Sequence, residues 1–407
     1  MSFTKTPQLN TAHLERGRWR KPTLFVLTLL VIEFLDELVF GVEGAAWPLI
    51  RADLGLTYVQ IGLLLSVPGF LANLIEPILG VLGDVWNRRA LILAGAVAFT
   101  LAVLFTGLAP NFIALLISAI VFNPASGAFV GLAQATLMDT DPARHEQLMA
   151  RWTLAGSLGV VAGPLALGAA AWVGFGWRGV FIGLAVLTLA LTITTARQAF
   201  PVSTNSNSNF GAGLRGAFQA LRRGEVWRWL ILLECSDLML DVLLGFLALY
   251  IVDVTGATPA QGALAVAVWT GVGLLGDALL IPLLERVRGL TYLRFSAAVM
   301  LFLFPAFLLA PSFQLKLALL ALMGLFNSGW YAILQGRLYL AIPGQSGTVM
   351  SIGALTGAMG KLIPIALGWA AQQFGLSVAL WFLLLGPLSL LIGLPRHQSD
   401  RQDGIDR

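Results

Sequence analysis

Long apolar runs alternate with short polar or charged segments along almost the whole chain. Each run reaches about the 20 residues that a helix needs to cross the hydrocarbon core of a bilayer. Alternating ten-residue segments, which are typical of membrane β-barrels, do not occur. The pattern predicts an all-α polytopic membrane protein with twelve transmembrane helices. The predicted spans are 23–47, 57–82, 88–108, 112–138, 149–173, 178–196, 227–252, 260–284, 290–310, 314–340, 347–371 and 376–394.

Composition excludes most other classes of protein. Hydrophobic residues make up 57% of the chain and charged residues 11%, against roughly 25% charged in a typical soluble domain. A soluble protein could not cover its surface with so few charges, and a disordered chain would hold far fewer apolar residues. The single Cys235, with His13, His145 and His397 in polar segments, offers no ligand set for zinc or copper. We therefore predict no cofactor, no metal site and no enzymatic activity.

The distribution of Lys and Arg predicts the orientation. With the N-terminus inside, the outer loops hold only Arg51, Arg178 and Lys316 of the 25 basic residues, and Lys361 lies within a span. The remaining basic residues fall in cytoplasmic segments, so the positive-inside rule places both termini in the cytoplasm. We expect a multi-pass protein of the cell inner membrane. Its predicted parts are an N-terminal tail (1–22), a six-helix half (23–197), a cytoplasmic linker (198–226), a second six-helix half (227–394) and a C-terminal tail (395–407).

The two halves repeat at a constant offset of 201 residues. Glu33, Asp36, Glu76 and Asp84 correspond to Glu234, Asp237, Asp277 and Glu285. Gly44, Gly55, Thr57, Gln60, Gly156 and Gly159 correspond to Gly245, Gly256, Thr258, Gln261, Gly357 and Gly360. Because acids are only 21 of 407 residues, four acidic matches at one spacing indicate an internal duplication. Parallel six-helix repeats are typical of secondary transporters, whose substrate site lies near the bilayer midplane between the halves.

The polar segment after the second span carries a recognisable motif. It reads Gly80-Val81-Leu82-Gly83-Asp84-Val85-Trp86-Asn87-Arg88-Arg89. It resembles the Gly-x-x-x-Asp-Arg-x-Gly-Arg-Arg signature of the major facilitator superfamily at Gly80, Asp84, Arg88 and Arg89, whereas Val85 and Asn87 depart from it. The second half keeps a degenerate copy in Glu285, Arg286 and Arg288. The resemblance implies two pseudo-symmetric six-helix halves and a cytoplasmic gating role for these residues, whose charges pair across the halves in one conformation.

Two further stretches resemble particular branches of that superfamily. Gly159, Gly163 and Pro164 in the fifth span are similar to the Gly-x-x-x-Gly-Pro stretch of proton-coupled drug antiporters. Phe122-Asn123-Pro124 in the fourth span is loosely similar to the fosmidomycin-resistance branch, which commonly carries His at the position of Asn123. These resemblances imply drug efflux. The small-residue spacing of Gly159 and Gly163 also predicts close helix packing.

Nine acids fall inside predicted spans, where a charged side chain costs at least about 2.5–3.5 kcal/mol on insertion scales. Glu33, Asp36, Glu37 and Glu43 lie on one stripe of span one, and Glu234, Asp237 and Asp241 form a similar stripe on span seven. The family resemblance places both stripes on the central cavity. The predicted site comprises the residues of both stripes except Glu43, which are Glu33, Asp36, Glu37, Glu234, Asp237 and Asp241. Four further residues complete it: Glu76, Asp277, the deep Lys361, and Arg337 of span ten.

Alternative structural roles remain open for these acids. Glu33, Asp36, Glu234 and Asp237 are also consistent with interhelical hydrogen bonds between protonated carboxyl groups. Glu43 is equally consistent with a solvated position near the outer surface. Glu76 and Asp277 are equally consistent with a structural charge network near the cytoplasmic loops.

The acidic cavity predicts the substrate and the coupling ion. Clustered carboxylates in a low-dielectric cavity repel one another and lose hydration, which favours proton binding. We predict a proton-coupled secondary transporter, an efflux antiporter that moves a small amphipathic or cationic compound by alternating access. Its partners are then the substrate, protons and the lipid bilayer, and we expect a monomer. A phosphonate would fit this cavity poorly unless Lys361 and Arg337 face the site.

Two other functions are alternatives to proton-coupled efflux. Oxygen ligands suit hard divalent cations, so the carboxylate cluster is also consistent with divalent-cation transport. A non-transporting membrane receptor or a lipid-handling enzyme belongs to another class and lacks a supporting motif. Gly357-Ala358-Met359-Gly360-Lys361 resembles the end of a phosphate-binding loop, but Leu355 and Leu362 stand where that loop needs Gly and Ser or Thr. We therefore expect no nucleotide and no nucleic acid among the partners.

Overall fold

The computed structural model describes residues 23–85, 87–140, 145–200, 222–341 and 357–395. The described residues form helices joined by short turns, with no strand among them. The helices are α1 (Leu24–Leu54), α2 (Tyr58–Val85), α3 (Arg88–Leu108), α4 (Phe112–Thr140), α5 (His145–Trp172), α6 (Trp177–Ala196), α7 (Gly224–Val254), α8 (Pro259–Leu284), α9 (Gly289–Leu309), α10a (Phe313–Asn327), α10b (Trp330–Ala341), α11 (Ile363–Phe374) and α12 (Leu376–Gly393). The predicted N-terminal tail, the predicted C-terminal tail beyond Pro395 and most of the predicted linker lie outside the described residues.

Ten of the described helical segments are long and apolar enough to cross a membrane. α1 is a further crossing of 31 residues, although any stretch of it that is long enough to span the membrane contains several charged residues. It continues past the predicted end at residue 47, because Pro48 is accommodated inside the helix and Ile50 is buried. α11 has 12 described residues, since the first part of predicted span eleven, 347–356, lies outside the described part. With these two, the helices account for the twelve predicted spans.

The structure confirms the repeat along the helices. α3 and α9 begin and end at positions 201 residues apart, as do Phe112–Ser126 and α10a. Gly55 and Gly256 follow the first helix of each half with φ of 63° and 70°. This left-handed conformation is open to glycine without strain, which explains why the same residue type recurs at both turns.

Both halves also start their second helix in the same way. Thr57 N–H donates to Gln60 Oε1 at 2.9 Å, and Gln60 N–H donates to the Thr57 hydroxyl at 3.2 Å. Thr258 and Gln261 form the same pair of bonds at 2.8 and 3.3 Å. Each pair is a capping box, which satisfies two of the unpaired N–H groups of a helix start.

Several spans depart from regular α-helical geometry, and three of the departures bear on the cleft or the repeat. α4 contains a π-helical turn at Gly127–Gly131, and the matching point of the second half is a break at Ser328 and Gly329 between α10a and α10b. The prediction of one continuous helix over 314–340 was therefore wrong, because Gly329 takes a φ of 72°. α7 contains a π turn at Leu238–Val242. Such turns are frequent at functional sites.

The first half is built on a close contact between α1 and α5. Gly163 lies directly against the backbone at Gly41, and Gly159 lies against the carbonyl of Phe34. A side chain at either α5 glycine would overlap main-chain atoms of α1. The predicted close packing through Gly159 and Gly163 is confirmed, and Pro164 lies inside the same helix.

The two halves meet along α1 and α7, α2 and α11, and α5 and α8. Where α1 gives way to α2, Arg51 forms an ion pair with Asp253 at 2.9 Å. Tyr58 Oη donates to the same carboxylate at 2.9 Å, and Tyr58 N–H donates to Gln372 at 3.2 Å. Deeper in the interface, the Ser66 hydroxyl accepts a backbone N–H of α11 at 3.0 Å. We call Arg51, Tyr58, Asp253 and Gln372 the latch, because they join the halves at one end of the bundle.

Lys316 corrects one detail of the predicted loops. It was assigned to an outer loop, but it lies in α10a and is only 4% exposed. Its ammonium donates to the Tyr250 hydroxyl at 2.9 Å and to the carbonyls of Phe307 and Leu308 at 2.8 and 3.2 Å. These carbonyls end α9, where unpaired acceptors and the helix dipole favour a cation. The sequence around Lys316 does not reveal this partner helix.

Candidate functional site

A cleft with a cavity volume of about 120 Å³ lies between the two halves in the middle of the bundle. α1, α2 and α4 line it from the first half, and α7 and the region around the start of α11 line it from the second. Its polar lining includes Glu43, Asn123, Asp237, Asp241 and Lys361, and its aromatic lining includes Phe40, Trp47 and Phe122.

Lys361 lies at an interruption of the eleventh span. Residues 357–360 are helical, a turn follows at Lys361, and α11 begins two residues later. The lysine chain runs along Gly69 of α2, where a β-carbon would stand 3.3 Å from its Cδ. Its Nζ lies 3.3 Å from Asp241 Oδ2 and interacts electrostatically with Asp237. A cation from the second half is thus placed beside the acids of α7, against the surface of the first half.

A π turn positions two of the acids of α7. Asp237 directly precedes the turn Leu238–Val242, and Asp241 lies within it. The buried amide of Asn327 in α10a donates to the carbonyl of Met239 at 2.8 Å. This bond anchors the irregular turn to a neighbouring helix and so fixes the direction of both carboxylates.

The three predicted acids of α1 lie together beside the cleft. Glu33 is buried against Gly156 of α5, where a β-carbon would stand 2.6 Å from Oε1. The Ser126 hydroxyl of α4 donates to Asp36 Oδ1 at 2.9 Å. Glu37 interacts electrostatically with Asp36 and with the α7 carboxylate that pairs with the lysine. The structure therefore brings the acidic stripes of both halves within electrostatic range of each other.

Glu234 repeats the surroundings of Glu33 in the second half. Its carboxylate lies directly against Gly360, and Gly357 is also adjacent to it. Gly156 and Gly357 are separated by the same 201 residues as the two glutamates. In each half, therefore, one glutamate carboxylate lies against a glycine, at a position where a side chain would have no room.

Glu76 and Asp277 lie beside the irregular points of α4 and α10. A β-carbon at Gly127 would stand 3.0 Å from Glu76 Cγ, and Glu76 interacts electrostatically with Lys361. Asp277 Oδ1 accepts the backbone N–H of Gly329 at 2.9 Å, immediately before α10b begins. This bond satisfies an N–H at a helix start, so Asp277 has a structural contact, although with a backbone N–H and not with the charge network that the sequence left open.

Glu43 was left out of the predicted site, but it lines the cleft. It also lines a second, small cavity of about 30 Å³ inside the first half. The helical spacing that places Glu43 on the same stripe as Asp36 could have indicated that Glu43 faces the cleft. The early predicted end of α1 made an outer position plausible, whereas the helix continues to Leu54 and leaves Glu43 well inside it.

The residues that resemble the gating signature lie at the opposite end of the bundle from the latch. Gly80 and Asp84 are in the last turns of α2, and the Asp84 side chain is outside the described part. Arg88 forms an ion pair with Asp139 at 2.5 Å, and Arg89 donates to a carbonyl of α6 at 2.7 Å. Both partners belong to the first half, so these contacts do not join the halves.

The remaining predicted site residues lie away from the lining of the cleft. Glu285, Arg286 and Arg288 are exposed in the turn between α8 and α9. Arg337 is half-buried in α10b and is not among the lining residues of the cleft. Of these two basic residues only Lys361 lines the cleft, so the condition under which a phosphonate would fit is not met by the described residues.

The described residues show no group of three or more His, Cys, Asp or Glu side chains arranged to hold a metal ion. Two repeated six-helix halves around a central polar cleft are the architecture of a secondary membrane transporter. A family model described as Major Facilitator Superfamily matches residues 29–364. The chain belongs to the Major Facilitator Superfamily, and it is a polytopic membrane transporter that binds small-molecule substrates, not an enzyme.

Three known proteins are similar to this chain. The protein named "Transcription regulatory protein OpdE" of Pseudomonas aeruginosa is 26% identical over 323 residues, which are 75% of this chain and 71% of that protein. A bacterial homologue of the human lysosomal transporter Spinster, in an inward-facing and unoccupied conformation, has a TM-score of 0.70 at 19% identity, over 91% of this chain and 95% of its own. The nucleoside transporter NupG has a TM-score of 0.69 at 13% identity, over 91% and 98%. At these identities the two structures show a common fold.

Proposed function

We propose that the protein is a proton-coupled efflux antiporter of the inner membrane that moves a small amphipathic or cationic compound by alternating access. The charge of the cleft carries this proposal: the described lining holds three acids, Glu43, Asp237 and Asp241, and one base, Lys361. An excess of carboxylates in a low-dielectric cleft attracts a cation. Aromatic faces such as those of Trp47 and Phe40 favour the same kind of ligand through cation–π contact.

Proton coupling is supported by the acids that lie behind the cleft. Glu33, Asp36 and Glu37 lie together on α1 and interact electrostatically. Binding of a proton reduces the repulsion between neighbouring carboxylates. The antiporter-like stretch of α5 packs against this same face of α1 through Gly159. A substrate cation at Asp241 and a proton on α1 then compete for one negative region, which is the requirement for exchange.

The contacts between the halves support an inward-facing state. With the positive-inside orientation, the latch lies at the outer end of the bundle. It closes that end through Arg51 and Asp253, and the fold is shared with a transporter in an inward-facing conformation. Export then requires the latch to open and the opposite end to close.

The experiment is proton flux in proteoliposomes with an imposed pH gradient and an internal pH dye. The panel contains lipophilic cations, nucleosides, sugars, phosphonates and divalent metals. We expect proton movement with lipophilic cations, and we expect its loss in Glu33→Gln and in Asp237→Asn. Glu225→Gln, which changes an exposed acid in the first turn of α7, is the matched control and should retain flux. Cation flux without proton movement would refute the coupling, and proton movement with phosphonates alone would refute the substrate class.

The name of the Pseudomonas relative favours a second candidate, a membrane sensor that binds a ligand and regulates transcription without transport. Such a protein would bind cations in the cleft but carry no flux across the liposome membrane. Binding by calorimetry together with absent flux, in protein of unchanged thermal stability, would select this candidate over transport.

A further inference from the structure

Asn327 is a buried amide with one of its two polar atoms unpaired. It is the last residue of α10a and is only 3% exposed. Its Nδ2 donates to the carbonyl of Met239 at 2.8 Å. Because a carbonyl can only accept, the nitrogen must face Met239, and Oδ1 points elsewhere. No described residue donates a hydrogen bond to this Oδ1. A buried acceptor without a donor is costly, so this position favours a group that can donate a proton to it.

The π turn of α7 holds the amide in place. In a regular helix the N–H of Leu243 would donate to the carbonyl four residues earlier, which is that of Met239. It donates instead to the carbonyls on either side of Met239. Asn327 supplies the donor that Met239 would otherwise lack. The amide is thereby fixed two residues after Asp237 along α7.

The first half shows that a side chain at this position can reach the acid. Ser126 and Asn327 are 201 residues apart, as are Asp36 and Asp237. Ser126 directly precedes the π turn of α4, and Asn327 directly precedes the break of α10. The Ser126 hydroxyl donates to Asp36 Oδ1 at 2.9 Å. The repeat therefore predicts that the Asn327 side chain lies within reach of Asp237.

The charges around Asp237 explain why it does not bond to the amide oxygen while it is ionised. A carboxylate and an amide oxygen are both acceptors, so they cannot form a hydrogen bond. Asp237 lines the cleft instead, where it interacts with Lys361 and with the backbone N–H of Asp241. The other acids that face this region are Glu234 of α7 and Glu37 of α1. Protonation removes the attraction to the lysine and turns the carboxyl group into a donor.

We propose that Asn327 binds the protonated form of Asp237: the carboxyl group takes up a proton from the cleft and donates it in a hydrogen bond to Asn327 Oδ1. The Nδ2 of Asn327 stays on the Met239 carbonyl, and no other bond is made or broken. This inference rests on the proposed proton coupling, and it adds a proton-binding position in the second half to the acids of α1. Asn327 is then a positioning residue for the exchange.

This position gives a physical reason for the exchange of substrate and proton. The neutral carboxyl group of Asp237 turns from the cleft to the amide, so a cation in the cleft loses one of its carboxylates. Uptake of the proton and release of the cation are then one event at one side chain.

The test is infrared difference spectroscopy of the full-length protein in liposomes as the pH is lowered. A protonated carboxyl group gives a C=O band apart from the amide bands, and hydrogen bonding lowers its wavenumber. The part of this band that is missing in Asp237→Asn belongs to Asp237. In Asn327→Leu we expect this part at a higher wavenumber. Its midpoint should fall by up to about one pH unit, since loss of one hydrogen bond weakens proton binding up to about tenfold.

Three further variants make the test specific. Asn327→Ala removes the amide with less steric change and should give the same shift, so the test does not depend on the folding of one variant. Asn327→Ser carries the hydroxyl that the first half uses and should restore the wild-type midpoint. Ser328→Ala is the matched control, because this hydroxyl donates to the carbonyls of Gly273 and Gly324 at 3.0 and 2.9 Å. Its loss loosens the same break and should leave the Asp237 band unchanged.

The outcomes separate this inference from the proposed function. An Asp237 band with the same wavenumber and midpoint in the wild type and in both amide-free variants would overturn the inference and leave proton coupling standing. The absence of any band that depends on Asp237 would also overturn it, as would an equal shift in Ser328→Ala. Absence of proton movement in proteoliposomes for every substrate would instead refute the proposed function.

Discussion

The carboxylate of Glu234 lies so close to Gly360 that a β-carbon at position 360 would overlap with Oε2. Gly156 has the same relation to Glu33 in the first half, although the contact there is less tight. Absence of a side chain thus places each carboxylate, because the acid occupies the space that a methyl group would take. Glycine at these positions is needed for the position of the acids as well as for helix packing.

Substitution at Gly156 should therefore impair coupling before it impairs folding. In Gly156→Ala the new methyl group displaces the end of the Glu33 side chain, which can rotate away, so the helices can stay in place. We expect at least a tenfold loss of proton-coupled flux in proteoliposomes with little change in melting temperature. Gly168→Ala, in the same helix with no atom within 4 Å of the added carbon, is the control. Full flux in folded Gly156→Ala would show that the position of Glu33 is not critical.

Loss of the latch should favour opening of its end of the bundle. The Arg51–Asp253 pair is partly exposed, and such a pair contributes at most about 1 kcal/mol. Asp253→Asn should therefore shift the population of the open state by up to about fivefold. The shift can be measured by double electron–electron resonance, as the distribution of distances between spin labels at Ala52→Cys and Ala260→Cys in a Cys235→Ser background.

The control for this measurement is Asp53→Asn. Asp53 pairs with Arg178 at 2.9 Å within the first half, so its removal should leave the distance distribution unchanged. A latch variant with the same distribution as the wild type would show that apolar contacts between the halves hold this end closed.

Neutralising Lys361 should strengthen cation binding. Its ammonium lies 3.3 Å from Asp241, so it competes with a ligand cation for that carboxylate. In Lys361→Met we expect tetramethylammonium to bind about tenfold more tightly, equivalent to about 1.4 kcal/mol. Lys361→Arg keeps the charge and should bind like the wild type. Weaker binding in Lys361→Met, measured by calorimetry, would mean that the lysine positions the acids instead of competing for them.

Asp277 allows a structural role to be distinguished from proton transfer. Asn at this position can still accept the Gly329 N–H, so Asp277→Asn should keep both its melting temperature and its proton-coupled flux. Asp277→Leu leaves that N–H unpaired and should lose about 1–3 kcal/mol of stability. If Asp277→Asn folds normally but carries no protons, then Asp277 belongs to the coupling machinery.

The sequence was sufficient for features that depend on local periodicity. Helical spacing placed Glu33, Asp36 and Glu37 on one stripe, and the offset of 201 predicted that the second half repeats the first. Both features follow from the spacing of residues along the chain. The structure adds where these stripes lie relative to each other, which depends on packing between helices.

Other features could not be predicted because they depend on a distant partner. Lys316 is stabilised by the end of α9, which its neighbours in the sequence do not indicate. The break at Gly329 is satisfied by Asp277, 52 residues earlier. The importance of Glu43 depends on a cavity formed by several helices. In each case, a polar group in an apolar segment marked the position, but only the fold supplied its partner.

The π turn of α7 has a geometric consequence for the cleft. It inserts one residue relative to a regular helix, and one residue corresponds to a rotation of about 100°. Asp237 lies before this offset and Asp241 lies inside it. The turn is tied to α10a by the Asn327 amide on the Met239 carbonyl. The side-chain amide of a neighbouring helix thereby sets the rotational register of the carboxylate that pairs with Lys361.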